Sequence, residues 1–114
     1  MRIQEEATPD WPGALKAAPI VVIYKHSPWC SVSFFSRQSL RGFARTHPAI
    51  PIFQVDVIAQ RPLSDRIAKD LGIVHASPQA IMVADGRVIW TGSHTAVSAA
   101  SLDSALSQTG WIPE

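Results

Sequence analysis

Two short β-forming runs flank a stretch with a helical repeat, and that order leaves few architectures open. The first run, "PIVVIY" (Pro19 to Tyr24), is continuously apolar and rich in β-branched residues, as a strand covered on both faces requires. The second, "IPIFQVDV" (Ile50 to Val57), is of the same kind. Between them, "CSVSFFSRQSLRGFARTHP" reads as a helix that starts near Cys30 and is ended by Pro48. Its apolar or small face is predicted to comprise Val32, Phe35, Ser36, Ser39, Leu40 and Phe43, with Arg37, Gln38, Arg41 and Arg45 largely elsewhere. Two buried strands joined through one helix make a βαβ unit, with parallel strands and a right-handed crossover.

The second half continues the alternation. In "RPLSDRIAKDLG", Pro62 sits near a helix start, Leu63, Ile67 and Leu71 form a stripe, and Gly72 supplies the stop. In "QAIMVADGRVIWTG", two β runs flank Asp85-Gly86, the dipeptide favoured by two-residue hairpin turns, so this pair is expected to be antiparallel. "SAASLDSALSQTGW" suggests a closing helix, with Ser98 or Ser101 as cap and Gly110 as stop. Near the start, "TPDWPGALKAA" offers a short helix capped by Thr8 with Pro9 at its first position, against which Pro12 counts. The resulting order, β-α-β-α-β-β-α, predicts an α/β domain: a central mixed four-stranded sheet flanked by helices on both faces. At 114 residues the chain is expected to be one domain, with residues 1–18 as an extension or short helix.

Composition narrows the partners. Ten basic residues stand against nine acidic ones, with no basic block, which argues against nucleic acid. The longest apolar run is far too short to span a bilayer, and "MRIQEEATPDWPG" has no hydrophobic core of a secretory signal. A cytoplasmic protein is expected. The four histidines and one cysteine show no ligand spacing, so no metal site is expected. Trp11, Trp90 and Trp111 are read as packing residues; Trp29 is set apart by its neighbour.

That neighbour is Cys30, the single cysteine of the chain, in "KHSPWCSVS". A lone cysteine is often a small buried hydrophobe. This one stands just after a strand and at a helix start, where unpaired N–H groups and the helix dipole favour a thiolate, the nucleophilic form. Lys25 and His26 are near in sequence, and the sequence leaves open whether they reach the sulfur. Ser33 occupies the i+3 position where a C-x-x-C site has its second thiol. It cannot form a disulfide, but it can donate a hydrogen bond to a thiolate; the alternative is a capping or solvated serine.

The element order is that of the thioredoxin fold, and "LGIVHASPQAIMVADGRVIWTGSH" resembles the second half of thioredoxins. The chain more specifically resembles the monothiol bacilliredoxin (YtxJ-like) family. The matching pieces are "KHS" with Cys30 and Ser33, "RPLS" at Arg61 to Ser64, "H-x-SPQ" at His75 to Gln79, "DGRVIW", and Ser93-His94. The resemblance implies removal of bacillithiol from S-bacillithiolated proteins, with Cys30 as nucleophile and Pro78 as a cis-proline in the loop facing it. It implies no permanently bound cofactor, bacillithiol as thiol co-substrate, and a disulfide reductase as a further partner. Trp29, Ser31, Ser77, Pro78 and Gln79 are the expected substrate-contacting residues, with Cys30 and Ser33 catalytic. The chain departs from the family at Ser31, where proline is usual, and at Trp29, which is more thioredoxin-like. Other readings of a lone reactive thiol are an iron–sulfur carrier like the monothiol glutaredoxins, whose C-G-F-S sequence is absent, a redox-inactive binding module, and a thiol sensor capped under stress.

Overall fold

The computed structural model describes Trp11 and residues 13–110. The expected helix cap at Thr8 and Pro9, and Trp111, lie outside the described residues. A 3-10 turn at Gly13–Lys16 leads into strand β1 (Ile20–His26). Then follow α1 (Ser31–Thr46), β2 (Ile52–Asp56), α2 (Arg61–Leu71), β3 (Gln79–Ala84), β4 (Arg87–Ser93), a 3-10 turn at His94–Ala96, and α3 (Ala99–Thr109). The strands form one mixed sheet in the order β2-β1-β3-β4. β1 runs parallel to β2 and antiparallel to β3, and β3 to β4 is the hairpin.

β1 is apolar throughout because both of its faces are covered. Val22 and Tyr24 join Leu40, Phe43, Met82 and Leu102 in one core, under α1 and α3. Val21 and Ile23 join Trp11, Val55, Ile67 and Ile81 in the other, under α2. β4 lies at the sheet edge, and a bulge between its pairings with Met82 and Val83 turns Val88 toward the core under α2 and Trp90 toward the core under α1 and α3. The β3–β4 turn has positive φ at both Asp85 (50°) and Gly86 (81°), the backbone that an Asp-Gly hairpin turn requires. Gly72 and Gly110 end α2 and α3 in the left-handed region, and the Ser98 hydroxyl caps α3 by accepting from the Ser101 N–H at 3.1 Å.

The buried face of α1 is rotated from the one its hydrophobicity suggests. Ser33, Ser36, Leu40, Phe43 and Ala44 face the core, Val32 is half-buried, and Phe35 is 69% exposed. Apolar ranking places Phe35 inward, but the helix must aim Ser33 at the strand beneath it. At about 100° per residue, that turns position 35 to the far side.

Candidate active site around Cys30

β1 ends at His26, and residues 27–30 turn the chain into α1. Cys30 is the N-cap residue, with extended backbone (φ −112°, ψ 123°). Its N–H donates to the Ser27 carbonyl at 3.2 Å, and its carbonyl accepts from the Phe34 N–H at 3.3 Å. Its side chain makes no capping bond and is half-buried, so the sulfur stands at the positive end of α1 with access to solvent. Ser31 is the first helical residue and is exposed. Trp29 is 85% exposed, and Phe34 is exposed too, so the thiol has an apolar rim.

Ser33 is fully buried. Its hydroxyl accepts from the Ser27 N–H at 3.2 Å, and its carbonyl accepts from the Tyr24 hydroxyl at 2.9 Å. The Ser33 hydroxyl therefore ties down the loop that carries Cys30. Tyr24 has one hydroxyl hydrogen, which the Ser33 carbonyl takes. The 2.8 Å contact to His26 must then be a bond donated by His26 Nδ1–H. Burial pushes the Tyr24 hydroxyl far above the ordinary phenol range, with the Arg37 charge opposing it, so Tyr24 remains a donor at any working pH.

Strand alternation separates the two basic residues before the loop. His26 shares the Tyr24 face and lines a cavity with Cys30. Lys25 points to the opposite face, fully buried, and donates from Nζ to the Ser64 carbonyl at 3.0 Å and to His75 Nδ1 at 3.1 Å. Burial lowers the affinity of Lys25 for its proton, with Asp65 opposing. Burial and then the Lys25 charge hold His75 below the ordinary imidazole value, so its ring is the acceptor in this pair.

The β1–β3 register brings in the third segment. Lys25 pairs with Gln79, and one step further along the same register stand His26 and Pro78. The Ser77–Pro78 peptide is cis. The Pro78 carbonyl accepts from His94 N–H at 2.9 Å, and Gln79 is buried, its Nε2 donating to the Val74 carbonyl at 3.0 Å. Of the three loop residues, Ser77 alone has both backbone groups without a partner among the described residues, and its hydroxyl is buried without one.

Tyr24, and the reach of Lys25 to His75, were not singled out by sequence reasoning; the period of two along β1 was the signal for both. A hollow of about 580 Å³ lies between Leu15–Pro19 and the β3–β4 turn, at the far end of β1 from Cys30. Among the described residues no His, Cys, Asp and Glu side chains gather as a metal site, and no helix is long and apolar enough to cross a membrane.

Residues 6–102 match the family model described as monothiol bacilliredoxin BrxC. The chain belongs to this family. Among solved structures it is similar to one described as a candidate oxidoreductase with a thioredoxin fold, at 26% identity and TM-score 0.82, covering 92% of this chain and 93% of that one. A mutant thioredoxin from Halobacterium salinarum NRC-1 matches at 15% identity and TM-score 0.76, over 98% and 94% of the two chains. Mitochondrial thioredoxin 3 from Saccharomyces cerevisiae, in its oxidized form, matches at 16% identity and TM-score 0.74, over 92% and 94%. The two thioredoxins establish the fold. Together with the family, the first structure supports a thiol oxidoreductase, and this bacilliredoxin-family chain is one with a single thiol in its sequence.

Proposed function

We propose that this protein removes bacillithiol from S-bacillithiolated proteins by one-thiol exchange at Cys30, in the cytoplasm. The observation that carries the reading is the half-buried Cys30 at the N-cap of α1, with Ser33 turned to the loop and the cis Ser77–Pro78 peptide at the same end of the sheet. The Cys30 thiolate attacks the bacillithiol sulfur of a protein–S–S–bacillithiol disulfide. That bond breaks, a Cys30–S–S–bacillithiol bond forms, and the protein leaves as its thiolate and takes a proton from water. A second bacillithiol thiolate, or a cysteine of a disulfide reductase, then attacks the new disulfide and returns Cys30. No net oxidation occurs on the enzyme, and rates follow nucleophilicity and leaving-group acidity.

The roles divide by position. The N–H groups of the first turn of α1 stabilise the attacking thiolate electrostatically, and Ser31, unlike a proline, contributes one more of them. Ser33 is a positioning residue, because it acts through the Ser27 amide. The Ser77 backbone offers the substrate its hydrogen bonds, while Pro78 and Gln79 hold that loop in place. Trp29 supplies apolar contact to the incoming protein.

The test is direct. A bacillithiolated protein is incubated with wild type or Cys30→Ala, with bacillithiol as reductant, and release is followed by mass spectrometry. Release by wild type alone is expected; equal release from both ends the proposal.

A further inference from the structure

We infer that the cavity beside Cys30 seats a carboxylate of the small thiol being exchanged, held by Arg37 and Arg41, so that this face of α1 selects anionic low-molecular-weight thiols. The inference rests on the thiol-exchange reading above and adds what the site recognises. The cavity holds about 110 Å³ and is walled by Cys30, His26, Phe34, Arg37, Gln38 and Arg41, with the 27–28 turn closing it. That is room for a carboxyl group with its attached carbons and too little for a whole tripeptide-sized thiol.

The helix itself builds the arrangement. Cys30, Phe34, Arg37 and Arg41 succeed one another at steps of four, three and four, so they share one face of α1. With about 1.5 Å of rise per residue, Arg37 lies roughly 10 Å from the helix start. An extended tripeptide-sized molecule spans about the same distance. A thiol bonded to Cys30 can therefore lay its carbon skeleton over the exposed Phe34 ring and bring a carboxylate to the guanidinium groups. Guanidinium suits that end because its planar fork can meet both carboxylate oxygens.

The surrounding charge favours the same ligand. From Ser31 to Thr46 the helix carries three arginines and no carboxylate. Among the described residues that wall the cavity, none is acidic. Arg37 is half-buried rather than fully solvated, and its charge acts on the buried Tyr24 hydroxyl, as does that of Cys30. Arg45 continues the row of basic residues but lies outside the cavity, which makes it the control.

The experiment varies only the small thiol. One carrier protein with a single cysteine is converted into mixed disulfides with bacillithiol, with glutathione, and with 2-mercaptoethanol, which has no carboxylate. Second-order rate constants for release are measured for wild type and for Arg37→Gln, Arg41→Gln, the double variant and Arg45→Gln, with thermal midpoints for each. The double variant is expected to lose about tenfold or more on the carboxylate-bearing thiols and to stay within about twofold on the 2-mercaptoethanol disulfide. Added salt should shrink the wild-type preference, and Arg41→Lys should retain part of the rate. The ratio between bacillithiol and glutathione says which carboxylate geometry fits. Because Arg41 is exposed, its variant keeps the test open even if Arg37→Gln unfolds. Equal losses on all three disulfides, or none, overturn the inference and leave thiol exchange standing. Failure of wild type on all three overturns thiol exchange, and the inference with it.

Discussion

At the scale of the residue, a chain of hydrogen bonds shapes the Cys30 loop: His26 to Tyr24, Tyr24 to the Ser33 carbonyl, and the Ser27 amide to the Ser33 hydroxyl. Tyr24→Phe removes one of two bonds to the Ser33 carbonyl, which keeps its helical one, and the bond to His26, so it should cost about 1 kcal/mol or somewhat more of stability, read by urea unfolding. Ser33→Ala removes only the acceptor for Ser27 and should cost about 1 kcal/mol or somewhat more, with exchange slowed but not abolished. The Lys25–His75 pair titrates in a defined direction. His75 has a folded-state affinity for protons below its ordinary pKa of 6.5, so the unfolded chain takes up protons first as pH falls. The neutral ring's contribution is fully present above that value and is lost as pH drops below it toward the lower folded-state value. Wild type should therefore weaken between pH 7.5 and 5.5, and His75→Gln, which keeps an acceptor for Lys25, should weaken less; urea midpoints at the two pH values check this. None of these partnerships was legible in the sequence, because each depends on which face of β1 a side chain takes and on what lies across from it.

At the scale of the element, legibility was high where local chemistry decides. Asp85-Gly86, Gly72, Gly110 and Ser98 mark turn and helix ends by backbone preferences that act over a few residues. The phase of α1 was less legible. Its repeat is evident, but a ranking by hydrophobicity prefers Phe35 to Ser33, and only the folded loop, where the Ser33 hydroxyl accepts from the Ser27 N–H, shows what a serine does there. Phe35→Ser should change stability by less than about 0.5 kcal/mol, as an exposed position does. Leu40→Ala should cost about 2–5 kcal/mol. Comparable losses in thermal unfolding would contradict the phase described. Arg37 was lost to the same simplification: assigned with Gln38, Arg41 and Arg45 away from the apolar face, it is half-buried beside the thiol.

At the scale of the whole molecule, the order of elements made a mixed sheet with helices on both faces readable, while the strand order β2-β1-β3-β4, which buries β1 on both faces, depends on pairings between distant runs. The placing of the Cys30 loop and Pro78 at the same end of the sheet follows from that arrangement, since antiparallel pairing of β1 with β3 sets the end of one beside the start of the other. What the linear chain could not display is the cavity between the 26–28 turn and the first turns of α1. Whether one thiol suffices there is settled by intact-mass analysis of the enzyme after a single turnover with a bacillithiolated protein and no added reductant. One-thiol exchange predicts an adduct of one bacillithiol on Cys30, formed as the substrate is freed and absent in Cys30→Ala. A freed substrate with unmodified Cys30, or an adduct that forms without freeing it, would rule out one-thiol exchange at Cys30.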